Sequence, residues 1–171
     1  LYEHDLDGTI DTLPLMEAQQ PYALLPEGHR FAHQAKVSLN DLVLEPMVLL
    51  DVQPSRTYFV SIFEERGLSP NILFSSPSIE MVRGMVGRGF GFSILVTRPR
   101  SDLTYDGQKL RCVPLAEQVT GSRLSAAWLR RSPLTKPAQL FVDYCREVLA
   151  PQYTSDLTPA VIVRCVQASH R

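Results

Sequence analysis

The chain has 171 residues, 44% of them hydrophobic, which suits one ordinary domain or two small ones around a buried core. Its 17 lysines and arginines balance 18 acidic residues, a net charge of -1, which excludes the basic face with which a protein grips nucleic acid. Three cysteines without paired spacing (Cys112, Cys145 and Cys165) exclude a disulfide framework, and no apolar run is long enough to span a bilayer. Arg98, Arg100, Arg130 and Arg131 read as solvated surface. No signal peptide is evident, and the first residue is Leu1 rather than Met. The expectation is a piece cut from a longer protein of a reducing compartment.

Strands and helices alternate along the chain. Residues 22–25 are a short apolar run ending at Pro26, which predicts a strand. Ser38 and Asp41 have the spacing of a capping box, opening a short helix that buries Leu39, Leu42 and Val43. Residues 47–50 predict the next strand. Ser55 is expected to cap a second helix, with Tyr58, Phe59, Ile62 and Phe63 at helical spacing and Gly67 ending it. Residues 72–74 predict a strand. Ser76 is expected to cap a third helix with Pro77 at its first position, Glu80 in its first turn, and a buried stripe of Met81, Met85 and Val86. Residues 90–96 read as a strand covered on both faces.

Beyond Pro99 the texture turns polar, with a turn at Asp106-Gly107. Residues 110–113 and 125–129 predict strands. Thr135 opens a last helix carrying Leu140, Phe141, Tyr144, Cys145 and Val148 on one face. This order implies an α/β fold with a largely parallel sheet. Residues 152–171 read as a tail, with an edge strand over 159–166 the most that its apolar content suggests.

Few residues suggest chemistry. Gly84, Gly87, Gly89 and Gly91 lie between a helix and a following strand, the reverse of a dinucleotide fingerprint, so helix end and turn is the better reading. His29 and His33 share a helical spacing but sit beside Gly28 with no further ligand near, so they read as loop histidines and not as a metal site. No nucleophile elbow is present, and Asp143 and Cys145 point to different helix faces, so nothing argues for an enzyme. What remains is polar-ligand binding where helices begin after strands, at Ser55 with Arg56 and at Ser76 with Ser78. Capping alone explains the serines equally well. Arg56 is less easily explained, because a cation at a helix start calls for a nearby anion.

Several segments together resemble the effector-binding domain of LysR-type transcription regulators. They are Pro21-Tyr-Ala-Leu-Leu-Pro-Glu-Gly-His29, Val37-Ser-Leu-Asn-Asp-Leu42 with Glu45-Pro-Met-Val-Leu-Leu50, and Phe63-Glu-Glu-Arg-Gly-Leu-Ser-Pro70. The longest is Ser78-Ile-Glu-Met-Val-Arg-Gly-Met-Val-Gly-Arg-Gly-Phe-Gly-Phe-Ser-Ile-Leu95, and Trp128-Leu-Arg-Arg-Ser-Pro-Leu134 resembles the closing elements. The resemblance covers residues 1–150.

It implies a two-subdomain, type 2 periplasmic-binding-protein-like fold with Rossmann-like subdomains, the first incomplete. Residues 13–96 would be the second subdomain, 1–12 and 97–150 parts of the first, and 151–171 a C-terminal tail. It further implies a small polar or carboxylate effector bound between subdomains by Gln53, Ser55, Arg56, Ser76, Ser78 and Thr97, with no cofactor. DNA would be reached only through a winged helix-turn-helix outside this chain. A cytoplasmic homodimer or homotetramer without membrane attachment is expected. The other reading of the resemblance is a stand-alone, secreted solute-binding protein of similar fold.

Overall fold

The computed structural model describes residues 8–149. The elements run β1 (Ile10–Pro14), β2 (Tyr22–Pro26), α1 (Leu39–Leu42), β3 (Pro46–Leu50), α2 (Ser55–Glu64) and β4 (Asn71–Ser76). Then follow α3 (Ile79–Gly87), β5 (Ser93–Leu95), β6 (Leu110–Pro114), β7 (Ser125–Leu129) and α4 (Lys136–Leu149). The alternation read from the sequence is therefore present, with β1 as an addition.

The sheet is mixed rather than largely parallel. β3 and β4 pair in parallel, whereas β2 runs antiparallel to both β5 and β6. A parallel bridge between Met47 and Phe92 joins the two groups, giving the order β4-β3-β5-β2-β6. β2 is the hub. Its residues Tyr22, Ala23, Leu24 and Leu25 are all buried, as befits a strand paired on both edges and covered on both faces. One face packs with α1 and α2 through Phe59, Ile62, Phe63 and Phe92, and the other with α3 through Val82 and Val86.

The strand predicted over 90–96 is regular only at Ser93–Leu95, because the chain must first pass β3 at very short range. Gly91 has φ +150°, and a Cβ there would stand 2.1 Å from the carbonyl oxygen of Pro46. No other residue type fits that approach. The Phe92 amide donates to that same carbonyl at 3.0 Å.

Helix ends agree with the sequence in kind and differ in position. Gly67, at φ +68°, closes α2 as expected, with Leu68 N–H donating to Phe63 O and Gly67 N–H to Glu64 O. Ser55 is not the cap of α2 but its first helical residue; Pro54 occupies the cap position without a side-chain bond. Ser78, not Ser76, caps α3 by accepting from Met81 N–H at 3.3 Å. Ser76 ends β4, and its hydroxyl accepts from Ser78 N–H. The buried stripe of α3 is Val82, Arg83 and Val86, while Met81 is 57% exposed. That shift follows from the later start, which rotates the helix relative to the expected face.

At α1, Ser38 caps as predicted, accepting from Asn40 N–H. The carboxylate that serves this end is Glu117, not Asp41: it accepts from Ser38 Oγ at 2.8 Å and from Leu39 N–H at 3.0 Å. A cap assembled from a residue so distant in sequence is invisible to a local motif.

β1 and β7 form a separate antiparallel ribbon from Ile10↔Leu129 to Pro14↔Ser125. α4 starts after Thr135, whose hydroxyl accepts from Ala138 N–H. Its predicted apolar face is largely outside the core, with Leu140, Phe141 and Tyr144 exposed and Val142 buried instead. The expected tail at 151–171 and the strand end at residues 1–3 lie outside the described residues.

Candidate ligand cleft

Three stretches of chain meet beside the sheet. The incoming stretch, residues 15–20, continues the ribbon against 122–124: Leu15 N–H donates to Leu124 O, and Gln19 and Ser122 exchange both backbone bonds, at 2.7 and 2.9 Å. Gly121 lies so close under this crossing that a Cβ would be 3.0 Å from Gln19 O. The third stretch leaves β5 through Val96 and Thr97. Tyr22 Oη donates to Thr97 O at 2.9 Å, and the buried Arg83 donates to Ser101 O and Leu103 O at 2.8 and 2.7 Å. The outgoing chain is thus fixed to β2 and α3 by side chains.

Between the ribbon and the α/β body lies a cavity of about 400 Å³, within the roughly 300–1,000 Å³ typical of small-molecule sites. Leu50, Ser55, Phe59 and Ile79 line it from the ends of β3, α2 and α3. Leu95, Val96 and Thr97 line it from the outgoing stretch, and Met16, Gln19, Ser122, Arg123 and Leu124 from the ribbon, with Leu149 of α4 closing the far side. Mostly hydrocarbon with a few polar groups, it suits a small organic ligand.

Of the six residues anticipated from the sequence, Ser55 and Thr97 line this cavity together. The others have partners of their own. Arg56 pairs with Asp51 at 2.9 Å, so the anion demanded by a cation at a helix start is internal. Gln53 Oε1 accepts from Thr57 Oγ1, and Ser76 and Ser78 serve the start of α3. Sequence reasoning missed Gln19, Ser122 and Arg123. The one signal for them is Thr120-Gly-Ser-Arg123, a glycine turn with a single charge just ahead of a predicted strand.

The ionisable groups nearby are quiet. Burial raises the Tyr22 hydroxyl above its ordinary value, with Cys112 adding to the effect. Burial likewise raises the Cys112 thiol, which keeps it away from the reactive thiolate. His29 is tied into its turn by accepting from Phe31 N–H, and desolvation lowers its pKa. Among the described residues, no three His, Cys, Asp or Glu side chains are grouped to hold a metal, and no helix is long and apolar enough to cross a membrane.

A mixed α/β body with an effector-sized cleft beside paired crossing stretches defines a type 2 periplasmic-binding-protein-like binding module. The chain belongs to the LysR substrate binding domain family, whose model matches residues 1–150. It is 75% identical to HinK, a LysR family transcriptional regulator from Pseudomonas aeruginosa, with a TM-score of 0.83 over 88% of this chain and 52% of HinK. The uncharacterized HTH-type transcriptional regulator YybE of Bacillus subtilis (strain 168) is 25% identical over 128 residues, 74% of this chain and 42% of YybE. The effector binding domain of QuiR, in complex with shikimate, shares the fold at a TM-score of 0.69 and 19% identity, over 84% of this chain and 67% of that one. The chain spans about half the length of HinK and less of YybE.

Proposed function

We propose that this chain is the effector-sensing part of a LysR-type transcription regulator, and that it binds a small polar or carboxylate-bearing metabolite in the cleft between two subdomains. The observation that carries the reading is the cavity itself, which gathers Ser55, Thr97 and the ribbon around one ligand-sized space. Residues 13–96 form the second subdomain in this reading, and 1–12 with 97–150 contribute to the first. Ser55 and Thr97 are direct contacts. Gln53, Arg56, Ser76 and Ser78 stand close in sequence to the helix starts and reach the ligand only by exchanging their present partners. Ligand favours one placement of the subdomains, and that bias passes to a winged helix-turn-helix elsewhere in the protein. The regulator acts in the cytoplasm as a homodimer or homotetramer and catalyses no reaction.

The test is thermal unfolding against a panel of small carboxylates, aromatic acids and amino acids. A ligand at about a hundredfold over its Kd stabilises by roughly 2.7 kcal/mol, on the order of 5–10 °C for a chain of this size. A shift that disappears in Ser55→Ala or shrinks in Thr97→Val supports the reading. A cooperative melt that no compound moves would sink it.

A further inference from the structure

We propose that the ligand of this cleft is a compact monoanion with an apolar body, and that Arg123 is the residue that holds its charge. This rests on the cleft reading and adds to it a chemical class and a specificity-determining side chain.

Among the described residues lining the cavity, Arg123 alone is charged. Its polar companions there, Ser55, Thr97, Ser122 and Gln19, are neutral donors and acceptors that suit a carboxylate's remaining lone pairs. The rest of the lining is hydrocarbon, as at Phe59 and Leu95. A polyol or zwitterion would set polar groups against that hydrocarbon without partners. A dianion would bring a second charge with no second cation to meet it. A neutral apolar molecule would gain nothing from the guanidinium, whose five N–H donors exceed what one partner uses. A single carboxylate on an aromatic or aliphatic body satisfies both halves of the lining.

Arg123 also stands on an ordered mount. Glu117 is bonded to the start of α1. Arg66 donates to Gln118 O at 2.6 Å and Tyr58 to Thr120 O at 2.5 Å, so α2 holds the segment from below. The doublet between Gln19 and Ser122 holds it from above. The backbone that presents the guanidinium is ordered before a ligand arrives, which removes an entropic cost of binding.

The experiment measures binding of benzoate, phenylacetate and hexanoate at millimolar concentration to the whole chain, each against its own amide and against the dianions phthalate and adipate. Titration calorimetry reads affinity. At least one monoacid is expected to bind, at least tenfold more tightly than its amide and than either dianion. Arg123→Gln should weaken that acid by about 10- to 100-fold, the range of a charged hydrogen bond, and abolish the preference over the amide. Arg123→Lys should keep part of it. Amides binding as well as acids, no acid binding at all, or an Arg123→Gln variant with unchanged affinity would each overturn the assignment. Ser55→Trp, which fills the cavity, separates this failure from failure of the cleft. A neutral compound that Ser55→Trp excludes leaves the cleft standing without its anion. A probe indifferent to Ser55→Trp removes the cleft reading itself.

Discussion

Three residues set local geometry that nothing else supplies. Gly91 lets the chain pass against the Pro46 carbonyl, and Gly91→Ala places a methyl within 2.1 Å of that oxygen at a φ of +150°. A loss of about 3 kcal/mol or more is expected, read as a melting temperature lower by roughly 10 °C. A variant that melts with the parent would show that the two strands separate freely there. Arg83 is buried and donates to two loop carbonyls, so Arg83→Met should free residues 101–109 and speed their amide exchange. Glu117→Gln replaces a charged acceptor at the α1 start with a neutral one, an expected cost of about 1 kcal/mol in a denaturant melt. Gly91 was readable from the sequence as a turn glycine, but its closeness to Pro46 was not, because that depends on how two strands meet. Arg83 and Glu117 were unreadable for the same reason: their partners lie 18 to 79 residues away.

The elements themselves were largely legible, since apolar runs and helical spacing report which face is covered. β1 was missed because Ile10-Asp-Thr-Leu-Pro14 is half polar and pairs with β7 outside the main core. Strand direction was misjudged because alternation with helices suggests parallel pairing, whereas β2 pairs with strands far along the chain. One inter-element link responds to pH. Arg111 on β6 bonds both oxygens of Glu27, just past β2, at 2.6 and 2.7 Å, and this hydrogen bond holds the Glu27 carboxyl below its usual range. A carboxyl depressed in the folded state stabilises above its unfolded pKa and loses that contribution as pH falls through the folded value. The window therefore lies below about pH 4. Arg111→Gln should flatten the acid side of the stability profile without changing the plateau shape near neutrality. An unchanged acid slope would show the pair is fully screened.

At the scale of the molecule, the cleft draws on segments scattered across the chain, and only part of it could be anticipated. Ser55 and Thr97 were accessible because they follow strands at the edge where such folds bind ligands. Arg123 was not, because it enters from the returning ribbon, whose path over the cavity no local pattern encodes. The outer surface carries apolar groups as well. Phe141 and Leu140 on α4 are 68% and 69% exposed, and Phe74 on β4 meets Phe90 edge-on at 5.6 Å in the open. Patches of this kind drive association. The chain is expected to self-associate with rising concentration in light scattering, and Phe141→Glu to reduce that; a strictly monomeric parent would refute it.

The central position of β2 has a cost in time. Its partners, Ser93–Leu95 and Leu110–Pro114, are made long after it. At roughly 5–20 residues per second of synthesis, β2 emerges several seconds before either edge has a neighbour. Tyr22, Ala23, Leu24 and Leu25 spend that interval uncovered on the ribosome, making this strand the segment of the nascent chain most in need of a holding chaperone.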